Sequence, residues 1–167
     1  MNVSLTQGQN SSIYFNGDFY EVVTLSGYRL LTRDETSYVK LLFPECSNTE
    51  LGKALETALE KSRIIDPDND DLLNREMVAI RYKRWVADKM DIFNYKTKRA
   101  LFKKMHLCNI RKINGSITIE PMLHEKIETW SGDGISESDY VVIPDSSSSE
   151  EIGAAIRLAF SRCRSRV

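Results

Sequence analysis

The sequence predicts one α+β domain with a mixed, largely antiparallel sheet, built from two internally repeated hairpin–strand–helix units with a helical insertion between them. Three observations carry that expectation. An ordered set of residues recurs at an offset of about 100 positions. Each copy holds an Asn-Gly pair between β-rich runs, and each ends in a serine-capped amphipathic helix. The chain has 167 residues, enough for one domain with a full core and short for two. The expected boundaries are 12–64 for the first copy, 66–106 for the insertion and 108–165 for the second copy.

In the first copy, Asn16-Gly17 joins Ile13-Tyr14-Phe15 to the run from Phe19 to Val23. Asn-Gly favours positive φ at both central positions, which suits the type I′ turn of a tight hairpin. A further strand is expected from Tyr38 to Phe43, ended by Pro44, which cannot donate to a ladder. Ser47 and Glu50 then form a Ser-x-x-Glu box, in which the serine accepts from the third helical N–H and the glutamate reaches back. Leu51, Ala54, Leu55, Ala58 and Leu59 follow at i, i+3, i+4, i+7 and i+8, a single apolar stripe suited to packing on a sheet.

In the insertion, Asp66-Pro67-Asp68-Asn69-Asp70-Asp71 reads as a turn whose carboxylates cap a helix carrying Leu72, Leu73, Met77, Ile80 and Trp85. A second short helix is expected from Thr97 to His106, with Leu101, Phe102 and Met105. The second copy repeats the first: Asn114-Gly115 between the runs 109–113 and 117–119, a strand from Tyr140 to Ile143 before Pro144, and a box at Ser148 and Glu151. Ile152, Ala155, Ile156, Ala159 and Phe160 repeat the helical stripe. Gly52 and Gly153 recur in the first turns, where glycine costs roughly 1 kcal/mol relative to alanine. Their recurrence predicts close approach of helix to sheet.

Composition excludes several classes. Twenty-three Lys and Arg against 24 Asp and Glu argue against a histone-like protein and an acidic disordered chain. No apolar run approaches the roughly 18 residues of a membrane span, and the first ten residues lack the basic start and apolar stretch of a secretory signal. Cys46, Cys108 and Cys163 give neither a disulfide framework nor a CxxC site. Cys108 and Cys163 read as small core residues, and unpaired thiols point to the cytoplasm.

No phosphate loop, nucleophile elbow, zinc motif or calcium loop occurs. Cys108 with His124 or His106 is the one nucleophile–base pairing that folding could assemble, and an ordinary role for all three is preferred. Glu125 and Glu128 could pass for paired carboxylates, but their i, i+3 spacing equally describes a solvated helix face. No catalytic residue, cofactor or metal is therefore expected.

Charge divides along the chain. Residues 1–75 carry net −5, residues 76–112 net +8 and residues 113–167 net −4. The basic block, with Tyr82, Trp85 and Tyr95 among its cations, suggests a small RNA- or DNA-binding module using 81–112. The alternative is a docking surface for a basic protein at Asp66, Asp68, Asp70 and Asp71, with Asp133, Glu137 and Asp139.

A family resemblance favours the protein partner. Leu101-Phe102-Lys103-Lys104-Met105, Cys108-Asn-Ile110, Asn114-Gly115-Ser-Ile117-Thr-Ile119-Glu-Pro121 and His124 resemble the CdiI immunity proteins of contact-dependent growth inhibition. So do Trp130-Ser-Gly132, Val142-Ile143-Pro144, Glu151-Ile152-Gly153-x-Ala155 and Arg162-Cys163, and the likeness covers most of 37–163. The resemblance implies a small cytoplasmic bacterial protein without catalytic activity that binds the C-terminal toxin domain of a cognate CdiA. Such toxins are frequently nucleases, including tRNA-cleaving ones, so nucleic acid is expected only through the toxin. Immunity of this kind is allele-specific. The matching motifs are structural and transfer no binding residue.

Overall fold

The computed structural model describes residues 6–167; the expectation drawn from the N-terminal stretch falls partly outside them. The elements run β1 (Gln9–Phe15), β2 (Tyr20–Tyr28), β3 (Leu30–Arg33), β4 (Val39–Leu42), α1 (Asn48–Glu60), α2 (Arg75–Ile92), α3 (Lys98–Phe102), β5 (His106–Ile113), β6 (Ser116–Pro121), β7 (Leu123–Lys126), β8 (Thr129–Ser131), β9 (Val141–Pro144), α4 (Ser149–Ser161) and β10 (Arg164–Ser165). The large sheet has the order β3-β2-β1-β5-β6-β9, with β4 also on β2. All its pairings are antiparallel. A small sheet, β10-β7-β8, mixes parallel and antiparallel pairs.

The strands of the two halves meet at the centre, where β1 and β5 pair from Gln9↔Lys112 to Phe15↔His106. Outward from that pair each half has a hairpin partner and then a further strand, β2 with β4 on one side and β6 with β9 on the other. Both units thus share one continuous sheet. Alternation along the strands sends Ile13, Val22, Ile110, Ile117 and Ile119 to one face, where α1 and α4 cover them in the main core. Ser47 caps α1 by accepting from the Glu50 N–H, and at α4 both halves of the Ser148–Glu151 box are formed.

The two hairpins differ. Asn114 and Gly115 both have positive φ, 53° and 79°, and Ile113 pairs Ser116 across the expected two-residue turn. Asn16-Gly17 instead opens a four-residue loop, because Phe15 pairs Tyr20 and only Gly17 has positive φ. The reason is tertiary. The Asn16 amide donates to Tyr95 Oη at 2.9 Å and to the Leu101 carbonyl at 3.1 Å. Phe19 leaves the strand to stack on Phe93.

Gly52 and Gly153 bring helix against helix, not helix against sheet. A Cβ on Gly52 would collide with the Ser149 carbonyl, and one on Gly153 with the Asn48 carbonyl. Each glycine thus lets the other helix's first turn lie directly on its backbone.

The insertion also departs from expectation. The cap of α2 is Asn74, whose Oδ1 accepts from the Glu76 and Met77 N–H groups; the aspartates belong to the preceding turns, as do Leu72 and Leu73. The short helix α3 ends at Phe102, capped at its start by Thr97, and His106 already begins β5 because it pairs Phe15. Residues 123–131 form the β7–β8 hairpin, so Glu125 and Glu128 lie on no helix. Their i, i+3 spacing is that of a β7 residue and a residue of the following turn.

Helices α2 and α3, together with β7–β8, cover one end of the second sheet face through a second core of Phe19, Trp85, Val86, Leu101, Phe102 and Met105. The rest of that face stays open. No helix among the described residues is long and apolar enough to cross a membrane.

Candidate partner-binding surfaces

The open part of the sheet is a groove of about 480 Å³ lined by Asn10, Ser12 and Tyr14 of β1, Leu107, Asn109 and Arg111 of β5, Leu31 and Arg33 of β3, and Glu120 of β6. Strand alternation puts these side chains opposite the helix layer. Ser12 Oγ donates to Asn109 Oδ1 at 2.7 Å, fixing two of them across the central pair. Burial pushes the Glu120 carboxyl above its ordinary value, with the Arg111 charge working in the opposite direction. The groove has buried Asn10 and Ser12 in its floor, with half-buried Asn109 and Glu120 and exposed Arg111 beside them.

Where the groove meets the insertion lies a buried charge cluster. The Glu21 side chain is fully buried and receives Arg33 Nη2, Lys89 Nζ at 2.8 Å, and the Trp85 indole N–H at 2.9–3.0 Å to its two oxygens. Arg33 also lies over the rings of Trp85, at 4.8 Å, and Tyr14, at 5.2 Å. Burial alone drives the Glu21 carboxyl up; the charges and hydrogen bonds of Arg33 and Lys89 more than offset it and hold it below the usual range. The cluster joins β2, β3 and α2, and so ties the insertion to the sheet. It escaped the sequence reading, although a single Glu inside the run Tyr20-Glu-Val-Val-Thr24 is an available signal.

The first acidic segment follows Ile64, which bridges Gly27 at the end of β2. Asp66, Asp68 and Asp71 are exposed and Asp70 is half-buried. Asp66 accepts from the Asp68 N–H at 3.0 Å and from the Asn69 amide at 2.5 Å. Asp70 accepts from the Leu72 N–H at 2.9 Å and lies 3.2 Å from Arg63 Nη1. The turn is therefore held by its own carboxylates, leaving Asp68 and Asp71 as its outward charges.

The second acidic segment leads into β9, an edge strand separated from β2 by β1, β5 and β6. Asp139 accepts from the Ser136 N–H at 2.9 Å and faces Arg164 at 3.6 Å; the first of these contacts holds its carboxyl below the ordinary value, and the Arg164 charge adds to it. Asp133 lies 3.9 Å from Arg166, and Glu137 is exposed in a short 3₁₀ turn. The two acidic segments, taken together from the sequence, are thus not one patch.

Nor is the basic block one surface. Lys89 is consumed by Glu21, Arg81 donates to the Leu72 carbonyl, and Lys98 sits 3.6 Å from Glu128. Arg111 faces the groove, whereas Lys112 faces α1 beside Glu56 and Glu60. Lys83, Arg84, Lys96, Arg99, Lys103 and Lys104 remain exposed on the insertion.

The candidate nucleophile does not meet a base. Cys108 Sγ lies 3.7 Å from Cys163 Sγ in the main core. His124 stacks on Trp130 at 4.8 Å with its Nε2 2.8 Å from the Ile127 carbonyl. Burial lowers the His106 pKa, with the neighbouring His124 adding to it. Glu128 accepts from Tyr82 Oη, and Glu125 lies 3.8 Å from Arg166, so the two carboxylates have separate partners. Among the described residues, no group of three or more His, Cys, Asp or Glu is placed to hold a metal ion.

What these features define is an α+β scaffold, with α1 and α4 on one face of the sheet and the insertion over one end of the other, that carries a polar groove and separate charged turns and, among the described residues, no group placed to hold a metal ion. The family model described as CdiI, CDI immunity protein, matches residues 9–163. Immunity protein CdiI-YPIII of Yersinia pseudotuberculosis serotype O:3 (strain YPIII) is 40% identical, over 92% of this chain and 94% of that protein. A solved CdiA-CT/CdiI toxin and immunity complex from Y. pseudotuberculosis contains a chain superposing with a TM-score of 0.87 at 38% identity, covering 93% of this chain and 97% of that one. A Neisseria meningitidis protein of unknown function, NMB0488, superposes with a TM-score of 0.88 at 33% identity over 98% and 100% of the two chains. This chain belongs to the CdiI family of CDI immunity proteins.

Proposed function

We propose that this protein binds the C-terminal toxin domain of its cognate CdiA in the cytoplasm and neutralises it by occlusion, without catalysis. The observation that carries this reading is its likeness, at 38% identity over nearly the whole of both chains, to a chain solved in a toxin–immunity complex. The toxin is proposed to be a nuclease, with tRNA a candidate substrate. Its basic substrate-binding surface is drawn toward Asp66, Asp68, Asp70 and Asp71, with Asp133, Glu137 and Asp139 as a separate contribution. Exposed carboxylates accelerate encounter with a cationic partner more than they tighten the final complex. The groove supplies the rigid concave floor that a charged turn lacks.

Co-expression with the cognate toxin domain tests the reading: growth is restored by this chain and by no other family member, and the purified pair forms a stable complex. Growth arrest despite expression of folded protein refutes it. The charge assignment has its own test. Replacing Asp66, Asp68 and Asp70 by Asn and Asp71 by Ser is expected to slow association about 3- to 10-fold at low salt and to flatten its salt dependence. An unchanged association rate at every salt concentration removes these residues from the encounter surface while leaving the immunity reading intact.

A further inference from the structure

The main core contains a feature that inhibitor function does not use. Cys108, on the central strand β5, is fully buried with its side chain on the helix side of the sheet. Cys163 is half-buried and lies in the two-residue connection between α4 and β10. Their sulfurs are 3.7 Å apart, at van der Waals contact, and both cysteines are reduced. Cys46, by contrast, meets Arg157, whose Nη2 is 3.8 Å from its sulfur, and has no thiol within hydrogen-bonding distance among the described residues.

We propose that Cys108 and Cys163 form a redox pair that closes to a reversible disulfide when the protein meets peroxide, fastening the C-terminal end of α4 to the centre of the sheet. A disulfide needs the sulfurs about 2.05 Å apart. Cys108 is fixed by ladder pairs to Ile13 on one side and Pro121 on the other, so β5 does not move. Cys163 is in neither a helix nor a strand, and the adjustment falls on it.

The order of events follows from access and ionisation. Burial pushes the Cys108 thiol well up, keeping it protonated, and a hydrogen bond from that thiol favours the thiolate at Cys163. The Cys163 thiolate attacks one peroxide oxygen; an S–O bond forms, the O–O bond breaks, and the hydroxide released becomes water with the proton that the Cys163 thiol gave up on ionising. The Cys108 thiol then attacks the sulfenic sulfur, forming S–S and breaking S–O, and its proton goes with the departing hydroxide. Two thiols and one hydrogen peroxide give one disulfide and two waters. A dithiol reductant reverses the change. The bond closes a chain segment of 55 positions, long enough for a substantial effect on the unfolded state.

The test treats the full-length protein with equimolar hydrogen peroxide, alkylates it under denaturing conditions and maps the peptides by mass spectrometry. The expected product has lost two hydrogen masses, alkylates only at Cys46 and yields a Cys108–Cys163 linked peptide. Its melting midpoint rises by about 5–10 °C and returns to the starting value with dithiothreitol. Cys46→Ser reproduces both changes, and Cys163→Ser abolishes both. Three alkylatable thiols after treatment, a bond involving Cys46, or Cys163 oxidised to the sulfinic acid beside a free Cys108 each overturn the proposal. The mapping of unmodified protein decides it even where a variant fails to fold.

Discussion

Glu21→Ala is expected to cost about 3–5 kcal/mol of folding stability, because it leaves the buried Lys89 ammonium without a counter-ion and takes from Arg33 its buried partner, leaving it Glu35 at 3.0 Å. Arg33 and Lys89 both contact the lost carboxylate, and the Trp85 indole N–H loses its acceptor. The loss is a large part of a typical stability of about 5–15 kcal/mol and lowers the melting midpoint by roughly 10 °C. Urea unfolding followed by tryptophan fluorescence measures it; a change under about 1 kcal/mol would contradict the buried-charge account. Replacing all three charges with apolar residues, Glu21→Leu with Arg33→Met and Lys89→Met, is expected to recover most of the loss, since no ion then stays buried unpaired. Hydrogen exchange localises the effect: amides of α2 lose protection before those of β1 and β5, because Trp85, Val86 and Lys89 are the buried residues by which that helix holds the sheet. Acid acts on the same group. The folded Glu21 pKa lies below the unfolded value of about 4.3, so its stabilisation is complete above that value and is lost as pH falls through the folded pKa.

The second large effect concerns the helix pair. Gly52→Ala or Gly153→Ala forces α1 and α4 apart, because the new Cβ meets backbone of the facing helix and no side chain can turn away. Alanine gains up to about 1 kcal/mol in helix propensity, and the strain outweighs it, for an expected net loss of roughly 2–4 kcal/mol. Gly132→Ala is the control: it has ordinary φ and nothing within 4 Å of the new methyl, and stability is expected to stay within about 0.5 kcal/mol. A stabilised Gly52→Ala protein would show that the helices do not touch at this point.

The legible parts of the fold are those set by local chemistry. Ser47 and Ser148 mark helix starts because an N-cap bond spans three residues. The i, i+3, i+4 stripes give α1 and α4, and Asn114-Gly115 gives the hairpin, because both signals are complete within a few residues. Asn16-Gly17 carries the same local signal and fails, since the Asn16 amide is taken by Tyr95 and Leu101, 79 and 85 positions away. The helical period over 72–85 showed that α2 exists and overextended its start, because Leu72 and Leu73 are apolar within a turn. The short strands β3, β7, β8 and β10 carry too few residues to display a period.

The candidate surfaces were legible as charge and not as place. The sequence supplied the carboxylates at 66–71 and 133–139, but the first follows a bridge to β2 and the second leads into β9, with β1, β5 and β6 between those strands. It supplied eleven cations between residues 76 and 112, but Arg111 and Lys112 face opposite sides of one strand. The groove residues Ser12, Asn109, Arg111 and Glu120 come together only when β1 pairs β5.

By itself, then, the sequence determined the capped helices, the strand-rich units with their apolar faces, and the family motifs. Tertiary structure alone decided that β1 and β5 join the units into one sheet, that two glycines let helix rest on helix, that Glu21 holds the insertion, and that Cys108 meets Cys163. The physical reason is range. Capping, turn chemistry and amphipathic period act within a few residues, whereas burial of one element against another depends on partners tens of residues away, which periodicity does not name.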